Sequence, residues 1–392
     1  GSFRRAGCDL HDGARQEEYT VRRRAVTGDY IYTDNMAVGY GRVPLIRQIK
    51  IHVKRGEIVT LIGPNGSGKS TILKSIIRQL GLVDGAVYLA GSPMCDMTEK
   101  EIATKMSVLM TERIRPELMT CEDVVATGRY PYTGRLGILS EKDRQKVREA
   151  IALVHARDFA ERDFMEISDG QRQRILLARA VCQEPEAIVL DEPTSFLDIR
   201  HKLELLTILK ELVRTKKVAV LMSLHELDLA QKLSDYIICI KGDRIERCGT
   251  PEEVFTESYI TKLYDITKGS YQAEFGCLEM EPVRGVPRVF VIGGGGSGIP
   301  VYRKLQRQGV PFAAGILSEN DIDYPVARAL ASEVVSEAPF EPIREETFER
   351  AAAVLNSCSQ VICCLETFGT LNEKNRKLAE MGKDKMLPGI KD

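Results

Sequence analysis

Nine residues from Gly63 to Thr71, Gly-Pro-Asn-Gly-Ser-Gly-Lys-Ser-Thr, carry the spacing GxxxxGK[ST]. Glycines so placed let the backbone curl until successive N–H groups point inward, a shape that suits phosphate oxygens. Gly63, Asn65, Gly66 and Gly68 are therefore candidate phosphate contacts. Lys69 supplies a mobile charge for β- and γ-phosphates, and Ser70, with Thr71 beside it, a hydroxyl for Mg²⁺. A second group is Asp191-Glu192, two carboxylates closing the apolar run Ala187-Ile-Val-Leu. Asp191 is placed to hold Mg²⁺ through water, and Glu192 to face an attacking water as general base or orienting group. A third is Gly293, Gly295 and Gly298, which satisfy GxGxxG. Glu319 or Asp321 falls about where an acid contacts a ribose in a dinucleotide site.

Each group needs an element to aim it. Glu-Ile-Val-Thr-Leu-Ile, ending at Ile62, predicts a strand, and an amphipathic stretch from about Thr71 predicts a helix. That is the strand–loop–helix setting in which the helix turns its positive end towards phosphate. Further strands are expected around Ile49–53, over 187–190 and over 218–223, and strand character begins at Tyr30. The stretch from Ser140 to Ala180 is helical by pattern, with Ser-Glu-Lys-Asp as a capped start.

Composition narrows the function classes. With 55 basic and 56 acidic residues there is no global field to draw the chain onto nucleic acid or anionic lipid, so no nucleic-acid partner is expected. No run of 18 or more apolar residues is present, and the opening Gly-Ser-Phe-Arg-Arg has no apolar signal region, which reads as a soluble protein. The ten cysteines form no CxxC pair and sit mostly among apolar residues, so they read as reduced, buried thiols. Residues 1–28 are polar and Arg-rich and read as a flexible lead-in.

Between the loop and the carboxylates stands Ile167-Ser168-Asp169-Gly170-Gln171-Arg-Gln-Arg, which resembles the LSGGQ signature of ABC ATPases. Pro-Thr-Ser195-Phe-Leu-Asp198 resembles the D-loop of that family, and His225 in Ser-Leu-His-Glu-Leu-Asp its switch histidine. Tyr40 in Val-Gly-Tyr-Gly stands where the family places an aromatic residue that stacks on adenine. The resemblance covers about residues 30 to 265. It implies a P-loop NTPase fold of ABC type, α/β, with a helical subdomain and an N-terminal antiparallel β subdomain. ATP and Mg²⁺ are the implied ligands and ATP hydrolysis coupled to transport the implied activity. Two subunits would pack head to tail as a homodimer. Ser168, Gly170, Gln171 and Asp198 would then complete the ATP site of the other copy. A membrane-embedded permease, a substrate-binding protein acting indirectly, and a peripheral place on the inner face of the membrane follow from the same resemblance.

The chain departs from the family pattern twice. Asp169 replaces the commonest glycine, and its side chain is expected to point away from phosphate. Ser107-Val-Leu-Met-Thr111-Glu112-Arg113 aligns with the family's Q-loop but carries threonine in place of glutamine, so either Glu112 substitutes or coupling is looser. Pro116-Glu-Leu-Met-Thr-Cys-Glu-Asp-Val-Val and Gly128-Arg-Tyr-Pro-Tyr-Thr-Gly134-Arg are similar to the branch serving iron-siderophore, haem and vitamin B12 importers. A soluble ABC ATPase without a permease, for example in cluster assembly, is the alternative; a third reading makes the C-terminal domain an enzyme regulated by the ATPase.

The C-terminal stretch reads as a second domain. Residues 288–292 predict a strand before the glycine run, and further strand–helix units are expected over 333–356 and 360–379. Together these suggest a small Rossmann-like α/β domain over 286–392, after an ABC ATPase domain over 29–265 and a linker over 266–285. Glycine-rich turns also serve ligand-free strand-to-helix packing. Whether this domain binds a phosphate-bearing ligand is open at the level of sequence.

Overall fold

The computed structural model describes residues 28–110, 118–134 and 137–387. The chain divides into two compact units, Gly1–Val254 and Phe255–Asp392. The first unit holds β1 (Asp29–Tyr40), β2 (Val43–Ile49), β3 (His52–Lys54), β4 (Ile58–Ile62), β5 (Asp84–Leu89) and β6 (Ser92–Pro93). It continues with β7 (Met106–Leu109), β8 (Ala187–Asp191), β9 (Ala219–Ser223), β10 (Tyr236–Lys241) and β11 (Arg244–Gly249). The second adds β12 (Ser270–Gln272), β13 (Cys277–Glu279), β14 (Val289–Ile292), β15 (Phe312–Ser318), β16 (Glu333–Glu337) and β17 (Gln360–Cys363).

In the first unit the central sheet runs β11-β10-β4-β9-β8-β7, parallel except for the β10–β11 pair. Every residue of β4, β8 and β9 is buried, the pattern of strands covered on both faces. That full burial explains why these segments read as unbroken apolar runs. An antiparallel sheet, β2-β1-β5-β6 with β3 paired to β1, carries the N-terminal part of the unit. The expected strand at 49–53 is broken in the structure, with β2 ending at Ile49 and β3 opening at His52.

A helical layer lies between β7 and β8 in sequence. The helices Cys121–Ala126, Glu141–Leu153 and Asp169–Cys182 pack on one another. The long helical stretch expected from Ser140 thus divides in two, separated by a 3-10 turn at Arg157–Phe159 and the signature segment. Its start is capped as expected: Ser140 Oγ accepts from Asp143 N, and Asp143 Oδ2 accepts from Ser140 N at 3.0 Å.

The second unit contains a parallel four-stranded sheet in the order β16-β15-β14-β17, each strand followed by a helix. The helices Ile299–Arg307, Asp323–Leu330, Glu345–Ser357 and Glu373–Met381 fall where the strand–helix alternation places them. Two boundaries differ from the sequence reading. The unit begins at Phe255 and takes in the helix Glu257–Leu263. The stretch 266–285, expected as a linker, contains the β12–β13 hairpin, in which Tyr271 is fully buried. Strands of three residues carry too little periodicity to be recognised in sequence.

Cys121, Cys182, Cys239 and Cys358 are buried, whereas Cys95 and Cys248 are exposed, correcting the expectation of general burial. Cys8 lies outside the described residues. Among the described residues no group of three or more His, Cys, Asp or Glu could hold a metal ion. No described helix is long and apolar enough to cross a membrane.

Candidate ATP site and its surroundings

Three neighbouring strands, β4, β9 and β8, end at one edge of the sheet and deliver the principal residues. The Gly63–Thr71 loop follows β4, and Ser223, the last residue of β9, lies in register with both Leu61 and Asp191. Gly63 has φ 153°, and a Cβ there would stand 2.2 Å from the Ile240 carbonyl oxygen, so glycine is required by space as well as by conformation. The helix Lys69–Ile76 begins after Gly68 with no side chain capping it. Its first N–H groups are therefore left for a ligand. Ser67 Oγ, buried in the same loop, has no hydrogen-bond partner, a second unsatisfied donor in the cradle.

Lys69 is buried, and its Nζ donates to the carbonyls of Gly63 (2.8 Å) and Pro64 (3.1 Å). Burial pushes its ammonium below the ordinary value, while Glu192 and Asp191 draw it back up. A cavity of about 410 Å³ opens here, bounded by Tyr40, Leu45, Asn65, Gly66, Gly68, Lys69, Ser70, Thr71, Glu192 and His225. Tyr40 ends β1 with its ring 65% exposed and its hydroxyl 3.3 Å from Thr71 Oγ1. Leu45 on β2 belongs to the same wall.

Asp191 is buried at the end of β8, and its Oδ1 accepts hydrogen bonds from Ser70 Oγ (3.0 Å) and Ser223 Oγ (2.7 Å). Those hydroxyl and carboxylate oxygens are the hard donors that suit Mg²⁺. Glu192 follows with a positive φ of 48°, its N–H donating to Ser223 Oγ at 3.0 Å. One carboxylate oxygen contacts His225 Nε2 and the other accepts from Ser195 Oγ at 3.1 Å. Glu192 is thus oriented from both sides at the cavity rim. Ser195 and Ser223 carry that orientation, and neither was a candidate by residue type alone. Behind them Thr194 Oγ1 (2.9 Å) and Lys202 Nζ (2.6 Å) donate to the two oxygens of Glu226, tying the segment after β8 to the helix Ile199–Lys216.

The remaining candidates are not on this cavity. Ser168 caps the helix Asp169–Cys182 with its Oγ accepting from Gln171 N at 3.3 Å; Gln171 Oε1 accepts from Ser168 N at 3.0 Å. The Gln171 side chain is thereby committed to the cap. Asp169 pairs with Arg172 at 2.8 Å, so its charge is compensated within its own turn. A Cβ on Gly170 would lie 3.0 Å from the His201 ring, and His201 Nδ1 is 2.9 Å from Asp198 Oδ1. Asp198 also caps the helix Ile199–Lys216, accepting from His201 N at 2.9 Å. The signature turn and the segment around Asp198 therefore form one packed patch, separate from the P-loop cavity.

The ABC transporter family model matches residues 46–195, from β2 through Ser195. An uncharacterised ABC transporter ATP-binding protein of Methanocaldococcus jannaschii is 41% identical over 288 residues, covering 73% of this chain and 99% of that protein. The chain belongs to the ABC transporter ATP-binding proteins. Within that family, an iron(3+)-hydroxamate import ATP-binding protein of Bacillus subtilis is 37% identical over 234 residues, 60% of this chain and 87% of that one. A cobalamin import ATP-binding protein of Halobacterium salinarum is 30% identical over 326 residues, 81% of each chain. Among solved structures, a dimeric ATP-binding cassette in a post-hydrolysis state bound to ADP and Pi matches with a TM-score of 0.50 and 25% identity, over 56% of this chain and 98% of that one. A separate model, the MJ0874 family, matches residues 312–388 of the second unit.

As an ABC transporter ATP-binding protein the chain is an ATPase. The Q-loop departure at Thr111, with Glu112 and Arg113, lies outside the described residues. The Gly128-Arg-Tyr-Pro-Tyr stretch is built into the helical layer. Arg129 is buried, donating from Nε to Asp143 (2.9 Å) and from Nη1 to Glu184 (2.9 Å) and the Cys182 carbonyl (2.8 Å). Its guanidinium also lies 4.1 Å from the Tyr132 ring centroid. A Cβ on Gly128 would meet the Arg179 carbonyl oxygen at 2.4 Å.

In the second unit the glycine loop is occupied by the chain itself. Both oxygens of Asp321 lie 3.0 Å from Gly295 N, and Asp323 Oδ2 accepts from Gly298 N at 2.9 Å. Glu319 accepts from Ser336 Oγ at 3.1 Å. Asp321 thus takes the Gly295 amide that a pyrophosphate would need.

Proposed function

We propose that this chain is the ATP-hydrolysing subunit that powers an importer for a metal chelate, an iron-siderophore, haem or cobalamin. The observation that carries the enzymatic part is Glu192, one residue beyond buried Asp191, held by His225 and Ser195 at the rim of the P-loop cavity. In this reading Glu192 takes or orients the proton of the attacking water, and His225 fixes the carboxylate. Lys69 and the N–H groups of Gly66 and Gly68 bind the β- and γ-phosphates, and Tyr40 offers its exposed ring to adenine. Ser70 and Asp191 would hold Mg²⁺, which supplies charge neutralisation on the phosphate oxygens.

The working unit in this proposal is a homodimer. Ser168, Gly170, Gln171 and Asp198 stand apart from the chain's own P-loop cavity, so they serve the site only from a second copy. Phe196 and Ile199, on either side of Leu197-Asp198, are 80% and 79% exposed, an apolar pair suited to burial between copies. The dimeric solved relative supports this arrangement.

The metal-chelate importer assignment is supported by the import roles that the Bacillus and Halobacterium relatives are named for and by the Gly128–Tyr132 segment. It brings a permease as direct partner and a substrate-binding protein as indirect one, with the ATPase peripheral on the inner face of the membrane. The test is ATP turnover of the chain reconstituted in lipid with its candidate permease. Turnover rising severalfold on adding the permease is expected. Robust turnover indifferent to the permease would instead favour an ABC ATPase without a membrane partner.

A further inference from the structure

The helix Asp323–Leu330, the β12–β13 hairpin and the end of β15 enclose a cavity of about 560 Å³ within the second unit. Four carboxylates face it: Glu257 and Glu274 from the N-terminal part of the unit, Glu319 and Asp321 from the loop after β15. Against them stands one guanidinium, that of Arg328, 5.9 Å from the Tyr324 ring centroid. No ion pair involving Glu257, Glu274 or Glu319 is formed among the described residues. Between the acids the wall is apolar, with Phe275, Pro325 and Ala329. Gln272, 5% exposed, is fixed on the same wall by donating to Ser270 Oγ at 2.8 Å.

This lining selects against anions twice over. It places four carboxylates at the mouth, three of them without a basic partner among the described residues, and Asp321 and Asp323 already take the Gly295 and Gly298 amides that would cradle a phosphate. The four cavity acids are also too dispersed to serve one metal ion, since no such cluster exists among the described residues. A positive charge spread over several ångströms, on a body with methylene groups, matches both the dispersed acids and the apolar wall between them.

We propose that the second unit binds a small aliphatic di- or polyamine in this cavity, and no dinucleotide at its glycine loop. The experiment is calorimetric titration of the full chain with putrescine and spermidine at low ionic strength. NAD⁺ and Mn²⁺ are run alongside, NAD⁺ on a Lys69→Ala background so that the ATP site does not contribute. One amine bound per chain is expected, with affinity falling on added salt and weakening at least ~5-fold in Glu274→Gln/Glu319→Gln, the sum of two exposed charge pairs. Both positions are exposed, so thermal melting should be unchanged, and Glu257→Gln alone gives a second, independent reading. Absence of heat with both amines would overturn the proposal. So would amine binding indifferent to these replacements, stoichiometric Mn²⁺ binding that excludes the amine, or binding of NAD⁺.

Discussion

Glu192 shows how much a single carboxylate depends on its neighbours. Its two oxygens are turned by His225 and Ser195, and its backbone N–H is pinned to Ser223 Oγ, so Ser195→Ala should loosen the side chain without removing it. Turnover falling ~3- to 10-fold in Ser195→Ala with unchanged ATP affinity is expected from steady-state kinetics, a modest loss because His225 remains. Arg129 poses the opposite case, a residue whose importance is structural. Replacing it with alanine leaves buried Asp143 without its cation, and a loss of about 3–5 kcal/mol is expected in denaturant unfolding. Gly128→Ala should also destabilise, by about 1–3 kcal/mol, because the added methyl meets the Arg179 carbonyl. The meeting of Lys69, Ser70, Asp191 and Glu192 at one edge of the sheet was legible in sequence, since each type has few other reasons to occupy its place in that pattern. Ser195, Ser223 and Leu45 were not, because a serine or leucine near a strand end has many uses and only the fold decides among them.

At the scale of elements, the signature helix Asp169–Cys182 does two jobs that can be separated. Ser168 caps it, so Ser168→Ala should cost about 1 kcal/mol of stability. If Ser168 also completes the ATP site of a second copy, turnover should fall well beyond what that small destabilisation explains, at temperatures where the variant remains folded. Thermal melting and turnover measured on the same sample distinguish the two; parallel, small losses in both would reduce Ser168 to a cap. The central strands β4, β8 and β9 were legible because burial on both faces leaves continuous apolar runs. The β12–β13 hairpin was not, and neither was the fate of the second glycine loop. The GxGxxG spacing is satisfied there, but the carboxylates that occupy its amides come from 25 and 26 residues away, a contact no local pattern reveals.

At the scale of the molecule, the two units have separate cores. In the second, burial of Glu337 raises its carboxyl, but hydrogen bonds from Arg344, Thr347 and Ala338 outweigh this and lower it to about 2. A carboxyl depressed on folding stabilises at pH above its unfolded value, and that contribution is lost as pH falls through the folded one. The second unit should therefore lose stability between about pH 4.5 and about 2. Glu337→Gln, already weakened by about 1–3 kcal/mol at neutral pH, should show a flatter acid limb in unfolding experiments followed across that range. The measurement that bears most directly on the whole is ATP turnover by the purified chain over a range of protein concentrations, beside Glu192→Gln. Turnover per chain that rises with concentration and falls at least ~100-fold in Glu192→Gln is predicted for a site completed by a second copy. Turnover that survives in Glu192→Gln, or a rate per chain that stays flat down to concentrations where sedimentation shows only monomer, would contradict it.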